Sequence, residues 1–276
     1  MTTHLRTIPT SRLLWISDLH LDQARDKAKI DFYKELENTR CDAVLITGDI
    51  STSRHLIEHL AEISRVFGKI TVMFMLGNHD YFGSSFAEVD RSIGNLCENH
   101  ENLVPLGYGE IIELSPRTAL VGHRGFYDGL AGAGPRTKVS SPDRHLISDF
   151  FGLDRSGYFQ KLRNLGEESA DYFRRVLPAA LKRYETVILG THVPPFTQSL
   201  RHSGSYCNWE SQPFFSNRST GNAIVGICRN FPCRSTIVFA GHSHSPSTVQ
   251  VLSNLEIRVA GAQPGRPAIN EILNIQ

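Results

Sequence analysis

The chain has 276 residues, of which 40% are hydrophobic and 21% charged, a composition that excludes a disordered or collagen-like protein. Its 29 Lys and Arg against 28 Asp and Glu leave a net charge of +1, so no charge excess indicates a nucleic acid or an anionic membrane as the main partner. The longest apolar runs have about five residues, whereas a membrane-spanning helix needs about 20. Residues 1–11 also lack the apolar stretch of a signal peptide, so we expect a cytoplasmic protein.

The first hundred residues alternate apolar, β-branched runs with helical segments, which is typical of βαβ units with buried strands. Strands are predicted at residues 13–17, 42–47 and 69–76. Helices are predicted at residues 26–38, 53–67 and 84–99, the last with Ser84 or Ser85 as its cap.

The second part of the chain has a different pattern, because two apolar runs flank Ser115-Pro116-Arg117 and predict an antiparallel hairpin at residues 109–122. The remaining elements are predicted as a long irregular loop at 125–145, a helical region at 158–184 that Pro178 could kink, buried strands at 186–189 and 236–240, and antiparallel strands at 248–251 and 256–259. No linker divides the chain, so we expect an α/β fold in a single domain over residues 1–276, with loop insertions near 125–157 and 196–219.

Five cysteines are scattered along the chain without a Cys-x-x-Cys pair, so neither a disulfide framework nor a thiolate zinc site is expected. They are Cys41, Cys97, Cys207, Cys228 and Cys233. We expect reduced thiols, in keeping with a cytoplasmic protein.

Residues that can bind a metal follow each predicted core strand. They stand in five blocks: Asp18-Leu19-His20, Gly48-Asp49, Gly77-Asn78-His79-Asp80, Thr191-His192 and Gly241-His242-Ser243-His244. Ligands of open α/β sheets bind outside the carboxyl ends of the strands. We therefore predict that the five blocks meet in one crevice at that edge.

The spacing and the types of these residues indicate a metal site. Residues i and i+2 of an extended chain point to the same side, so Asp18 can act with His20, and His242 with His244. Imidazole, carboxylate and amide oxygen without thiolate suit Mn, Fe or Zn. Seven such ligands are too many for one tetrahedral ion and fit two ions that share a carboxylate.

The five blocks, in this order, resemble the signature of the calcineurin-like metallophosphoesterase superfamily, and the resemblance spans residues 18–244. It implies a four-layer α/β/β/α sandwich of two facing mixed sheets, with a dinuclear metal site at the carboxyl ends of the strands. By position, the resemblance assigns one ion to Asp18, His20, Asp49 and His244. It assigns the other ion to Asp49, Asn78, His192 and His242, so that Asp49 bridges the two.

The same resemblance assigns catalytic roles to His79 and Asp80. Two ions would lower the pKa of a bridging water, and the resulting hydroxide would attack phosphorus in line. His79 is expected to stabilise or protonate the leaving oxygen, and Asp80 to orient His79 and keep it protonated. We expect a phosphodiesterase that acts on a small nucleotide-like substrate.

Other activities of the same fold stay open. Within this resemblance, His79 is similar to the histidine of the diesterase and nucleotide-phosphatase branches, whereas Arg commonly replaces it in the lipid A precursor hydrolases. The size of the chain resembles that of the small bacterial-type phosphodiesterase branch. Phosphomonoesterase action on a nucleotide or a protein is an alternative, although Asn78-His79-Asp80 departs from the Asn-His-Glu form of the protein phosphatases. A nuclease fits the near-zero net charge poorly, and a non-catalytic scaffold of this fold would be expected to have lost ligand blocks that are all present here.

The two long loops contain further candidate substrate contacts, which could stack a base or bind a second phosphate but which ordinary loop packing explains equally well. They are Arg124, Arg136, Arg144, His202, Tyr206, Trp209, Phe214, Phe215 and Arg218. His123 follows the second hairpin strand and could face the crevice. The remaining histidines are interpreted as surface residues: His4, His55, His59, His100, His145 and His202.

Overall fold

The computed structural model describes residues 4–202 and 205–276. Its strands are β1 (His4–Thr7), β2 (Arg12–Ile16), β3 (Ala43–Thr47), β4 (Thr71–Met75), β5 (Leu103–Pro105), β6 (Glu110–Glu113), β7 (Thr118–His123), β8 (Thr186–Thr191), β9 (Arg201–His202), β10 (Ser205–Tyr206), β11 (Ser235–Ala240), β12 (Ser247–Leu252), β13 (Leu255–Val259) and β14 (Glu271–Asn274). The helices are α1 (Asp26–Asn38), α2 (Ser53–Phe67), α3 (Phe86–Glu98), α4 (Asp143–Leu146), α5 (Arg155–Arg183) and α6 (Arg218–Arg229).

The strands form two mixed sheets and one short hairpin. The five-stranded sheet has the order β14-β2-β3-β4-β5, and the seven-stranded sheet has the order β1-β6-β7-β8-β11-β13-β12. In the first sheet β2 to β5 are parallel and β14 is antiparallel to β2. In the second sheet β7, β8, β11 and β13 are parallel, whereas β6 and β12 pair antiparallel with β7 and β13.

The two sheets pack face to face, and helices cover their outer faces. Alternate residues of β2 show this division, since Leu13 and Trp15 pack between the sheets and Leu14 and Ile16 pack toward the helices. Helices α1 to α3 cover the five-stranded sheet, and α5 and α6 cover much of the seven-stranded sheet. The predicted α/β sandwich of two mixed sheets is therefore confirmed.

Most predicted elements have their expected type, and the differences lie at edges and in loops. The hairpin and the antiparallel strands of the tail are present as β6–β7 and β12–β13. The edge strands β1, β5 and β14 were not predicted, and the predicted irregular loop contains a 3-10 turn at Gly134–Arg136 and helix α4. Pro178 lies inside α5, which continues to Arg183. None of the helices in the described ranges has the length and hydropathy needed to cross a bilayer.

Candidate metal centre

The seven predicted ligands gather at the carboxyl ends of five parallel strands. Asp18 and His20 follow β2, Asp49 follows β3 and Asn78 follows β4, whereas His192 follows β8 and both His242 and His244 follow β11. Ligand atoms of Asp18, His20, Asp49 and His244 lie within 4.8 Å of one another, and so do those of Asp49, His192 and His242. The two groups share Asp49, so the structure brings the predicted ligands into one cluster.

The first group has the spacing of side chains around one cation. The Nε2 atoms of His20 and His244 are 2.9 Å apart. His244 Nε2 is 3.4 Å from Asp18 Oδ1, and His20 Nε2 is 3.8 Å from Asp49 Oδ2. Ligand atoms placed about 2.1 Å from one ion lie roughly 3–3.5 Å from each other, so these distances fit a common ion.

The second group contains the Asn78 amide as well. Asn78 Oδ1 is 3.1 Å from His192 Nε2 and 2.9 Å from His242 Nδ1. His192 Nε2 is also 3.3 Å from Asp49 Oδ1. The two carboxylate oxygens of Asp49 therefore face different groups, as a bridging ligand requires.

Hydrogen bonds to neighbouring residues orient the nitrogen and oxygen atoms with which the second group would bind a metal. His192 Nδ1 donates to the Thr47 carbonyl at 2.8 Å, and His242 Nε2 donates to the Phe214 carbonyl at 2.8 Å. When each ring is neutral, these bonds leave the lone pair of its other nitrogen for the cluster. Asn78 Nδ2 donates to Asp143 Oδ1 at 3.2 Å, which turns its oxygen toward the two imidazoles. In this orientation, the free ring nitrogens and the Asn78 oxygen face a common point and fit a metal ion.

The backbone is strained at the candidate ligands. Among the described residues, positive φ outside glycine occurs only at five positions, with φ between 42° and 70°. They are Asp18, His20, Asp49, His242 and His244. Left-handed backbone is uncommon for side-chain-bearing residues and concentrates at functional sites, so this coincidence supports a functional cluster.

Close backbone approach explains one of the glycines that precede the ligands. A Cβ on Gly77 would contact Oδ1 of Asp49 and would lie 2.5 Å from the Asp49 amide nitrogen and 2.7 Å from His192 Cε1. Any side chain there would displace the shared carboxylate or the imidazole.

The charges in the cluster are strongly coupled. Burial alone would raise the pKa of Asp49, but His192, His79 and His20 hold it well below its ordinary value. Burial would lower the pKa of His192, yet the Asp49 and Asp18 carboxylates raise it to about 9. Burial and the neighbouring His192 lower the pKa of His242 to about 4, so this imidazole is neutral near pH 7, whereas His192 would release a proton when it binds a metal.

The structure corrects the predicted pairing of His79 with Asp80. The Asp80 carboxylate accepts hydrogen bonds from the backbone amides of Ile50, Ser51 and Gly77 at 2.8–2.9 Å, and none from His79. Asp80 therefore joins the turns after β3 and β4. The His79 side chain is 28% exposed, and the carboxylate nearest to its Nε2 is that of Asp49, at 3.9 Å.

A pocket of about 590 Å³ opens over the cluster. Its walls include His79 and His242 together with Val139, Phe215 and Pro264. The described residues that line it include no lysine and no arginine. Of the loop candidates whose side chains the structure describes, Phe214 and Phe215 line this wall.

The other loop candidates lie elsewhere. Arg144 and Arg218 donate to the backbone carbonyls of Leu153 and Leu130, and Arg124 forms ion pairs with Asp90 and Glu168. Neither Arg136 nor the exposed Tyr206 and Trp209 line the pocket. The side chain of His202 lies outside the described residues.

Two histidines differ from their interpretation. His59 is 4% exposed and bonds Ser51 Oγ through Nδ1, so it belongs to the buried face of α2 and is not a surface residue. His123 is 6% exposed and lines another cavity, away from the pocket over the cluster. The spacing of His59 from Leu56 and Ile63 places it on the apolar face of α2, and His123 ends the buried strand β7, so a closer look at the sequence pattern could have indicated both.

Two residues of the site were missed. Asp143 lines the pocket and holds the Asn78 amide, and the Tyr127 hydroxyl donates to Asp143 Oδ2 at 2.7 Å. Both belong to the long loop that follows β7. The only available signal was the unusual length of that loop, which gives no indication of which side chain points inward.

Comparison with known proteins agrees with this geometry. The model of the calcineurin-like phosphoesterase family matches residues 11–246. A dimetal phosphatase from Danio rerio has a similar structure, with a TM-score of 0.61 and 13% identity over 96% of this chain and 92% of that one. The TT1561 protein of Thermus thermophilus is similar at a TM-score of 0.54 and 14% identity, over 91% of this chain and 89% of that one.

No functionally curated protein is similar enough in sequence to count as a match. At 13% and 14% identity, the two solved structures support the fold alone. The family match covers most of the chain, and the buried cluster of histidines and aspartates lies within it. The chain therefore belongs to the calcineurin-like phosphoesterase family and is a metal-dependent phosphoesterase.

Proposed function

We propose that this enzyme hydrolyses a small phosphodiester, and that seven side chains hold two metal ions for the reaction. Asp18, His20 and His244 would bind one ion, and Asn78, His192 and His242 the other. Asp49 would bind both through its two oxygens. The donor set of imidazole, carboxylate and amide suits Mn, Fe or Zn.

The bound ions would supply positive charge to the phosphoryl oxygens and lower the pKa of a water molecule. Side chains of the pocket would handle the other requirements of the reaction. His79 lines the pocket, and its ring lies 4.2 Å from that of Phe82 and 4.7 Å from that of His20. We assign this imidazole to proton donation at the leaving oxygen. Asp80 holds the turn that carries His79 and is a positioning residue.

The observation that carries the diesterase assignment is the wall of the pocket, whose described residues include no lysine or arginine. A phosphomonoester is a dianion near pH 7, and its terminal oxygens are usually held by additional guanidinium or ammonium groups. The described lining has no such group and contains the Asp143 carboxylate. A diester is a monoanion and carries a second organic group in place of one charge, so it fits this wall better.

The apolar part of the wall supports a position for that organic group. Phe215 is partly exposed and its ring lies 5.1 Å from that of His242, and Val139 is 40% exposed at the pocket edge. A flat group such as a nucleobase can stack on an exposed phenyl face. We therefore propose a nucleotide-like diester.

A paired assay tests this proposal. The protein is stripped of metal, reloaded in separate samples with Mn, Fe, Ni or Zn, and assayed with bis(4-nitrophenyl) phosphate and 4-nitrophenyl phosphate. With the most active metal, we expect kcat/KM for the diester to be at least tenfold higher than kcat/KM for the monoester. A preference for the monoester would contradict the diesterase assignment.

Aromatic variants locate the organic group. Phe215→Ala should raise KM for the aryl diester about threefold to tenfold, because the stacking face is lost. Trp209→Ala is the matched control, since Trp209 is 61% exposed and lies outside the pocket lining. Equal effects of the two substitutions would argue against binding on Phe215.

A further inference from the structure

One buried carboxylate from the long loop after β7 reaches the metal centre. Asp143 is 2% exposed, is the first residue of α4 and lines the pocket over the cluster. Its Oδ1 accepts from Asn78 Nδ2 at 3.2 Å, and its Oδ2 accepts from the Tyr127 hydroxyl at 2.7 Å. Both oxygens therefore act as acceptors, as they do in an ionised carboxylate.

Neighbouring residues hold this carboxylate in place. The Asp143 amide donates to Ser141 Oγ at 3.3 Å. The Tyr127 hydroxyl has one proton, which the shortest contact assigns to Asp143, and its oxygen lies 3.1 Å from Ser141 Oγ and 3.2 Å from the Tyr158 hydroxyl. Tyr127, Ser141 and Tyr158 are at most 6% exposed, so Asp143 has little freedom to turn away from Asn78.

The Asn78 amide needs such a partner because its oxygen and its NH₂ group are similar in size, so that hydrogen bonds decide which of them faces the histidines. His242 donates through Nε2 to the Phe214 carbonyl, so Nδ1 of the neutral ring is an acceptor. That acceptor lies 2.9 Å from Asn78 Oδ1. Two facing acceptors leave both lone pairs without a proton unless a cation lies between them. In the metal-free protein, His242 therefore favours the reversed amide, whose NH₂ group cannot bind an ion.

We propose that Asp143 is the positioning residue of the second metal group, where it holds the Asn78 oxygen toward the ion before the ion binds. This role presupposes the two-ion centre of the proposed function. In the described part of the chain, Asn78 is the one candidate ligand to which the Asp143 side chain is hydrogen-bonded. Loss of Asp143 should therefore weaken the binding of one ion and spare the other.

Titration of metal-stripped protein with Mn²⁺, followed by the electron paramagnetic resonance signal of the free ion, tests this role. The wild-type protein should bind two ions, and His192→Ala should lose the ion of the second group. Asp143→Ala should raise the dissociation constant of one ion about 10–100-fold, the usual effect of removing the partner that orients a metal ligand. The affinity for the other ion should change less than about threefold.

Two further variants locate the effect. Asp143→Ala combined with His192→Ala should bind its remaining ion as tightly as His192→Ala alone, because both substitutions act on the same group. Asp143→Asn keeps the shape of the side chain and one oxygen that accepts from Asn78. It should fold as the wild-type protein does and weaken the same ion by a smaller factor, about threefold to tenfold.

Asp128→Ala is the matched control, because Asp128 is a buried aspartate of the same loop. It is 1% exposed, and its carboxylate accepts from the Leu130 and Ser219 amides at 2.9 and 2.8 Å, outside the pocket lining. Asp128→Ala should lower the melting temperature, as Asp143→Ala does, and bind both ions as the wild-type protein does. Equal weakening of metal binding in the two variants would reveal a general effect of the loop and overturn the proposal.

The remaining outcomes separate the role of Asp143 from the two-ion centre. A wild-type protein that binds a single ion contradicts the two-ion centre and removes the role of Asp143 with it. Two ions in the wild-type protein, with unchanged affinities in Asp143→Ala and Asp143→Asn, overturn the role of Asp143 alone. A loss of affinity that persists in the His192→Ala background also overturns it, because the affected ion would then belong to the first group.

Discussion

At the scale of single residues, Asp49 is the side chain that both halves of the metal cluster share. It belongs to both groups of neighbouring ligand atoms, and its two oxygens face different histidines. Asp49→Asn replaces one of the two shared oxygens by an NH₂ group, which has no lone pair available for a cation. We expect metal content to fall from two ions to one or none per chain and kcat/KM to fall at least 100-fold.

Elemental analysis and diester hydrolysis measure these two quantities. Asp31→Asn is the control, because Asp31 is an exposed residue of α1 at a distance from the cluster. It should retain both ions and full activity. Two retained ions in Asp49→Asn would exclude a bridging role for this carboxylate.

His79 should affect the chemical step more than metal binding. Its side chain reaches the pocket, and it is absent from both groups of candidate ligand atoms. His79→Ala should keep two ions per chain and lower kcat by about 100-fold or more for diesters with poor leaving groups. The loss should be much smaller for activated aryl esters, whose leaving oxygens need no proton. Loss of metal from His79→Ala would instead identify His79 as a ligand.

The sequence predicted which side chains meet but not how each is held. Polar residues at the ends of buried strands share an edge, so the convergence of Asp18, Asn78 and His192 follows from topology. The role of Asp80 does not follow, because its partners are amides on two turns that come together only in the folded sheet. The family resemblance implied a pairing with His79, which the Asp80 carboxylate does not form because it accepts from the backbone amides of these two turns.

At the scale of elements, the turn after β4 needs glycine. Gly77→Ala would push a methyl group into the Asp49 carboxylate and its backbone nitrogen. We expect the variant to lose at least one ion and to unfold about 2 kcal/mol more easily, the order seen when a side chain is forced into a filled space. Calorimetry with and without added metal measures both effects.

The control for this substitution is Gly226→Ala on α6, where an added Cβ meets no atom within 4 Å. It should stabilise the protein by about 0.5–1 kcal/mol, because alanine is the better helix former. If Gly77→Ala proved as harmless as Gly226→Ala, the close approach at residue 77 would be wrong.

Element prediction succeeded where burial dominates and failed where pairing partners are distant. β3 is buried along its whole length and reads as an uninterrupted apolar run. β1 is exposed throughout, and β14 is four residues long and pairs with β2 from the other end of the chain. Neither strand has a local pattern, because distant backbone partners make them strands.

At the scale of the whole molecule, the metal cluster connects the two sheets. Asp18, His20, Asp49 and Asn78 extend from the five-stranded sheet, and His192, His242 and His244 from the seven-stranded sheet. Ions bound between the sheets are therefore expected to stabilise the native state. An ion at 100 times its dissociation constant adds about 2.7 kcal/mol per site.

Denaturant unfolding with and without a chelator measures this contribution. The free energy of unfolding of the wild-type protein should fall by several kcal/mol on chelation, whereas that of Asp49→Asn should change much less. An unchanged free energy of unfolding of the wild-type protein on chelation would mean that the ions do not stabilise the packing of the two sheets, and an equal fall in both proteins would mean that Asp49 is not needed to bind them.

Buried histidine makes the metal-free protein sensitive to acid. The pKa of His123 is about 3 in the fold, against an ordinary value of 6.5, so the unfolded chain binds the proton first as pH falls. The contribution of His123 to stability is complete above pH 6.5 and declines toward pH 3, by about 1.4 kcal/mol per pH unit. Unfolding of chelated protein between about pH 5 and 7.5 measures the slope. His123→Gln should reduce it by about that amount, and an unchanged slope would contradict the burial of a neutral ring.

The left-handed backbone at five candidate ligands has a consequence for the history of such a chain. Each of these residues is held in a conformation unfavourable by about 1–3 kcal/mol, which glycine would adopt freely. A descendant that abandoned catalysis could accept glycine at those positions and become more resistant to heat. Without metal, such an inactive homologue should have a higher melting temperature than its active ancestor, although it has fewer side chains in its interior.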